Sequence, residues 1–107
     1  METLTINCWV RGSDTQEVFQ VNISKTETVA ALQVVIKNMW LNLFRNVSAN
    51  TLSLYKLKNP VPIPVKEHLR KIILSEHAER LEEALQELSE VFPVPLPERH
   101  IHIIVGV

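Results

Sequence analysis

The sequence predicts an α+β fold from three observations: strict alternation in two N-terminal stretches, a switch to helical spacing from Val29, and a β-branched closing run from His100 to Val107. Together these describe a sheet that needs a helix to cover one of its faces.

Thr3 to Val10 places Leu4, Ile6, Cys8 and Val10 on one side and Thr3, Thr5, Asn7 and Trp9 on the other, the pattern of a half-buried strand. Arg11-Gly12-Ser13-Asp14 supplies turn chemistry, and Phe19, Val21 and Ile23 then alternate with Gln20 and Asn22, so the two runs form a hairpin. Val29, Leu32, Ile36, Met39 and Leu43 recur at helical spacing, with Thr28 or Ser24 as the cap. Asn46 to Asn50 breaks the helix, and Leu52-Ser53-Leu54-Tyr55-Lys56-Leu57 is a third strand.

Pro60-Val61-Pro62-Ile63-Pro64 lacks ladder donors at its prolines and reads as an extended connector. Leu69, Ile72 and Ile73, then Leu81, Ala84, Leu85 and Leu88, predict one or two further helices with a break near Ser75, ended by Pro93-Val94-Pro95-Leu96-Pro97. The closing strand sets Ile101, Ile103 and Val105 against His102, Ile104 and Gly106. Hairpin, helix, strand, helical excursion and closing strand are the order of a ubiquitin-like β-grasp. Its first and last strands lie parallel at the sheet centre, which accounts for their apolar character. A ferredoxin-like sandwich is the open alternative and would require a strand inside the excursion.

With 107 residues, 46% hydrophobic and 21% charged, residues 1–107 make one domain with a single core. A formal net charge of -1 gives no global positive field for a phosphate backbone or an anionic membrane, so no nucleic-acid partner is expected. Apolar residues never run to the ~18 needed for a membrane span. The N-terminus, Met1-Glu2-Thr3-Leu4-Thr5, shows no cleavable signal peptide. Cys8 is the sole cysteine and reads as core filler.

No nucleophile–base pair or phosphate loop is visible, so no catalytic residue, cofactor or metal site is expected, and the chain is read as a non-enzyme. His100 and His102 share a strand side but lack the further ligands of a metal site, which leaves two half-exposed sheet histidines. His68 and His77 read as solvated. Glu76, Glu79, Glu82, Glu83, Glu87 and Glu90, mixed with Arg80, read as a solvated helical face. Asn22-Ile23-Ser24 and Asn46-Val47-Ser48 match the N-glycosylation pattern, which permits secretion without showing it.

Trp9, Tyr55, Leu57 and Ile104 share an outward phase on neighbouring strands, so an exposed sheet face is expected to bind a protein partner or a second copy of the chain as a homodimer. The competing expectation is that the helical excursion folds over this face and buries it.

Leu52-Ser53-Leu54-Tyr55-Lys56-Leu57-Lys58 resembles the L-x-L-F-L-A-K motif of Crinkler (crinkling and necrosis) effectors: Leu52, Leu54 and Lys58 match, and Tyr55 stands for the Phe. Lys56 and Leu57 depart from the oomycete Leu-Ala pair, which makes the fungal branch the better match. The segments Leu4 to Cys8, Val18 to Ile23, Thr28 to Leu32, Leu88 to Phe92 and Ile101 to Val105 resemble the N-terminal domain of that family in the same order.

This resemblance implies a ubiquitin-like, non-catalytic N-terminal domain of a secreted effector that serves delivery into a host cell, with the host nucleus as a destination for many members. It gives Leu52, Leu54, Tyr55 and Lys58 the place of a translocation motif. Activity would reside in a C-terminal effector domain, expected to be absent from this chain. The alternative is an intracellular ubiquitin-like adaptor with no delivery role. A covalent modifier fits less well, because the chain ends Val105-Gly106-Val107 without a Gly-Gly tail.

Overall fold

A computed structural model describes residues 3–11, 18–40, 45–62, 74–93 and 95–106. The elements are β1 (Thr3–Val10), β2 (Phe19–Ser24), α1 (Val29–Met39), a 3-10 turn (Ala49–Thr51), β3 (Ser53–Pro62), α2 (Leu74–His77), β4 (Ala78–Arg80), α3 (Leu88–Val91) and β5 (His100–Gly106). They build one five-stranded sheet in the order β2-β1-β5-β3-β4. β1 pairs antiparallel with β2 from Thr3↔Ser24 to Cys8↔Phe19, and parallel with β5 at Cys8↔Ile103, Trp9↔Ile104 and Val10↔Val105. The first and last strands are therefore parallel neighbours, as the β-grasp reading requires.

Thr28 caps α1 as expected, its hydroxyl accepting the Ala31 N–H at 3.3 Å. The buried stripe Val29, Leu32 and Ile36 packs on Ile6, Cys8, Val10, Val21, Ile23, Leu54, Ile103 and Val105, and Leu88, Val91 and Phe92 of the α3 segment close the cluster. Met39, in the last turn, is half exposed, and Leu43 lies outside the described residues. Burial also pushes the Cys8 thiol pKa far above its ordinary value, the signature of an inert filler.

Three expectations are corrected. Leu81, Ala84 and Leu85 belong to no helix, although their spacing fits one. Ala78–Arg80 adds an edge strand to Tyr55–Leu57, and the Leu81 N–H continues this contact by donating to the Leu54 carbonyl at 2.8 Å. The following turn caps the neighbouring helix: the Ala84 and Gln86 carbonyls accept the Ala30 and Val29 N–H groups at 2.9 and 3.0 Å. First-turn N–H groups have no partner within their own helix, and buried donors must find one, which outweighs the local helical pattern. Leu69, Ile72 and Ile73 fall outside the described residues.

Pro60 and Pro62 lie inside β3 instead of in a separate connector; the strand's pairing with β5 shifts register between Lys56 and Val61 and resumes at Val61↔Ile101 and Pro62↔His100. The alternation of β5 also breaks. Ile103 and Val105 face α1, whereas Ile101 joins Ile104 in a cluster with Trp9 and Leu57 that contains no α1 residue. Among the described residues there are thus two hydrophobic clusters instead of one.

Candidate functional site

The motif-like segment at the start of β3 is anchored from both sides. Leu52 and Leu54 are buried in the helix-facing cluster, while Lys58 is exposed. Gln33 of α1, itself buried, donates from Nε2 to the Leu52 carbonyl at 2.7 Å. Lys56 sends its Nζ 2.7 Å to the carbonyl of Val91 at the end of α3 and sits 5.6 Å from the Phe92 ring centroid. A cation at a helix C-terminus meets the negative end of the dipole, and an aromatic face adds to the attraction. Tyr55 is half-buried, and a Cβ at Gly106 would come within 3.3 Å of its Cε2, so a glycine there leaves room for the ring. Within this segment Lys58 is exposed, and Ser53, Tyr55 and Lys56 are half-buried.

The expected exposed face is not exposed. Trp9 and Leu57 are each 3% accessible and Ile104 is 1%; with Ala78 and Ile101 they form the second cluster, and Val18 and Tyr55 pack against it. The shared phase of these residues holds, but phase along a strand reports which face a side chain occupies and not whether that face is covered.

The expectation of a half-exposed His102 is also corrected, since the structure buries it. Its Nδ1 accepts the Asn7 main-chain N–H at 3.0 Å, so that nitrogen carries no proton in this arrangement. The proton is therefore on Nε2, which donates to the Pro97 carbonyl at 2.8 Å. Asn7 in turn donates from Nδ2 to the His100 carbonyl at 2.8 Å, and its Oδ1 accepts from Gln20 at 3.3 Å. Desolvation pushes the His102 pKa below its ordinary value, with the nearby His100 acting in the same direction and the bond to Pro97 opposing it.

His102 lies where two clefts meet. One of about 700 Å³ runs between β1 and residues 95–99, and one of about 160 Å³ lies between that segment and β3. Sequence reasoning missed this network; the available signal was a histidine inside an otherwise apolar strand, directly after a proline-rich segment.

Among the described residues no three metal-ligating side chains come together. His100 is half-buried, its Nδ1 2.7 Å from the Glu98 carbonyl; His77 is exposed, and His68 lies outside the described residues. Glu76, Glu79, Glu82, Glu83, Glu87 and Glu90 are all exposed, but they are spread over α2, β4, the capping turn and α3 instead of one helical face. Of the two sequon asparagines, Asn46 sits in an exposed turn, and Asn22 on β2 accepts from the Thr5 hydroxyl at 2.9 Å. No described helix is long and apolar enough to cross a membrane.

The family model described as the Crinkler effector protein N-terminal domain matches residues 4–106. Crinkler effector protein 1 of Rhizophagus irregularis is 32% identical over 103 residues, which is 96% of this chain and 21% of that protein. The chain thus spans about a fifth of the length of the curated relative it matches. Two solved ubiquitin-like domains share the fold. The C-terminal ubiquitin-like domain of mouse tubulin-specific chaperone e aligns with a TM-score of 0.63 at 14% identity, covering 98% of this chain and 86% of the other. The ubiquitin-like domain of an Arabidopsis thaliana protein aligns with a TM-score of 0.53 at 16% identity, covering 98% and 77%.

Proposed function

The chain belongs to the Crinkler effector protein N-terminal domain family, and from that premise we propose that it is a non-catalytic module serving the secretion and delivery of an effector into a host cell. The observation that carries this reading is the family match over residues 4–106, which spans nearly the whole chain. The family domain and the ubiquitin-like fold are both non-catalytic kinds of domain, which supports a delivery role over an enzymatic one. In this account the toxic or enzymatic activity belongs to another part of the effector, and the host nucleus is one destination for the delivered protein.

Delivery contacts must be made by groups that are accessible in the folded domain. With Leu52 and Leu54 in the core, the segment offers Tyr55 and Lys58 to a protein partner. The two leucines contribute by holding the strand in place.

The test is to express the full-length native protein with a small tag in its producing cell and to follow it in the secretome and in co-cultured host cells. Appearance in both supports the reading. Retention in the producer's cytosol would overturn it and favour the adaptor alternative. A Lys58→Ala variant that is secreted but fails to enter host cells would place the motif's contact at this ammonium. Incubation of the domain with nucleotides and nucleic acid is expected to give no turnover.

A further inference from the structure

We propose that His102 is an acid-sensitive latch, which ties residues 95–97 to β1 while its imidazole is neutral and lets go of β1 when it is protonated. Both ring nitrogens are used, one accepting from the Asn7 N–H and the other donating to the Pro97 carbonyl. Only the neutral form with its proton on Nε2 can make both bonds.

A second proton on Nδ1 would set two donors, the ring N–H and the Asn7 N–H, head to head across the present 3.0 Å contact. Asn7 is fixed in the β1–β2 ladder opposite Gln20, so the ring must move away from it, while its Nε2–H remains a donor to the Pro97 carbonyl. The charged surroundings offer the imidazolium little compensation. His100 lies on the same strand, Lys25, Glu98 and Arg99 line the larger cleft, and Lys56 and Lys58 line the smaller one. Glu98 is the single carboxylate among them, and desolvation, with His100 acting in the same direction, disfavours the imidazolium.

The sign follows from proton linkage. The latched imidazole titrates below the ordinary histidine value and the released one near it, so the latched state binds fewer protons. The latch is at full strength above about pH 6.5, and below it the latched-to-released ratio falls by up to about tenfold per pH unit until the latched group itself titrates. Release would join the two clefts and uncover Phe92 and Leu96, which line both.

The test is amide hydrogen exchange with NMR detection on the 107-residue chain at pH 7.5 and 5.5, read as protection factors. The Asn7 amide should lose severalfold in protection at pH 5.5, up to a ceiling of about tenfold, while Leu32 and Ile36 in α1 keep theirs. A His102→Gln side chain retains one acceptor and one donor but gains no proton, and its Asn7 protection should not depend on pH. Should that variant not fold, the wild-type ring ¹⁵N shifts decide: the Nε2–H tautomer at pH 7.5 should convert to imidazolium together with the loss of Asn7 protection. Unchanged Asn7 protection, an equal loss in α1, or the same loss in His102→Gln would each overturn the proposal.

Discussion

Gln33 on the buried side of α1 and Leu52 at the entrance to β3 are joined by a 2.7 Å hydrogen bond from a side-chain amide to a main-chain carbonyl. It ties the crossing helix to the strand that carries the motif. Gln33→Leu keeps much of the volume but leaves the Leu52 carbonyl without its donor, which costs about 1–3 kcal/mol. Urea denaturation should show a lower midpoint with an unchanged slope.

Leu54 is fully buried in the helix-facing cluster, and Leu54→Ala should destabilise the domain by about 2–5 kcal/mol through lost burial and a cavity. Motif variants that abolish delivery therefore need a melting curve beside them. A delivery defect at unchanged melting temperature would show direct recognition of this side chain and contradict the structural account.

Trp9 sits in the second cluster, so Trp9→Ala is expected to cost about 3–5 kcal/mol and to broaden or abolish the unfolding transition seen by circular dichroism. A folded variant with unaltered stability but weakened self-association, measured by light scattering, would instead restore the sheet face as an interface.

Cys8 is buried, and desolvation holds its thiol protonated. At pH 8 an aromatic disulfide reagent should modify it only at the rate at which the domain opens, and urea should bring that rate to that of a free thiol. Rapid modification of the native protein would contradict the packing of β1 against α1.

The hairpin, the capped helix and the parallel closing strand were legible because each is dictated locally, by a period of two, a Thr before an apolar helical stripe, and a β-branched run. What the sequence could not show depends on neighbours. Leu81, Ala84, Leu85 and Leu88 satisfy a helical template, yet Leu85 is 83% exposed, because the turn around it supplies carbonyls to the α1 N-terminus. Trp9 and Ile104 carry the right phase for an outward face, but burial of that face depends on elements far along the chain. His102 is similar: its partners, Asn7 and Pro97, lie at opposite ends of the sequence, and no local pattern relates them.

β5 lies between β1 and β3 in the sheet, with the hairpin on one side and the β3–β4 pair on the other. The last of the five strands to be synthesised is thus the keystone between two halves that are not adjacent in the sheet without it. On the ribosome, Cys8 must wait for Ile103, its partner across the β1–β5 pairing, before the sheet can close. Assembly order runs opposite to architecture: α1 can link the hairpin to β3 through Gln33 and Leu52, but the sheet itself stays open until its fifth strand emerges.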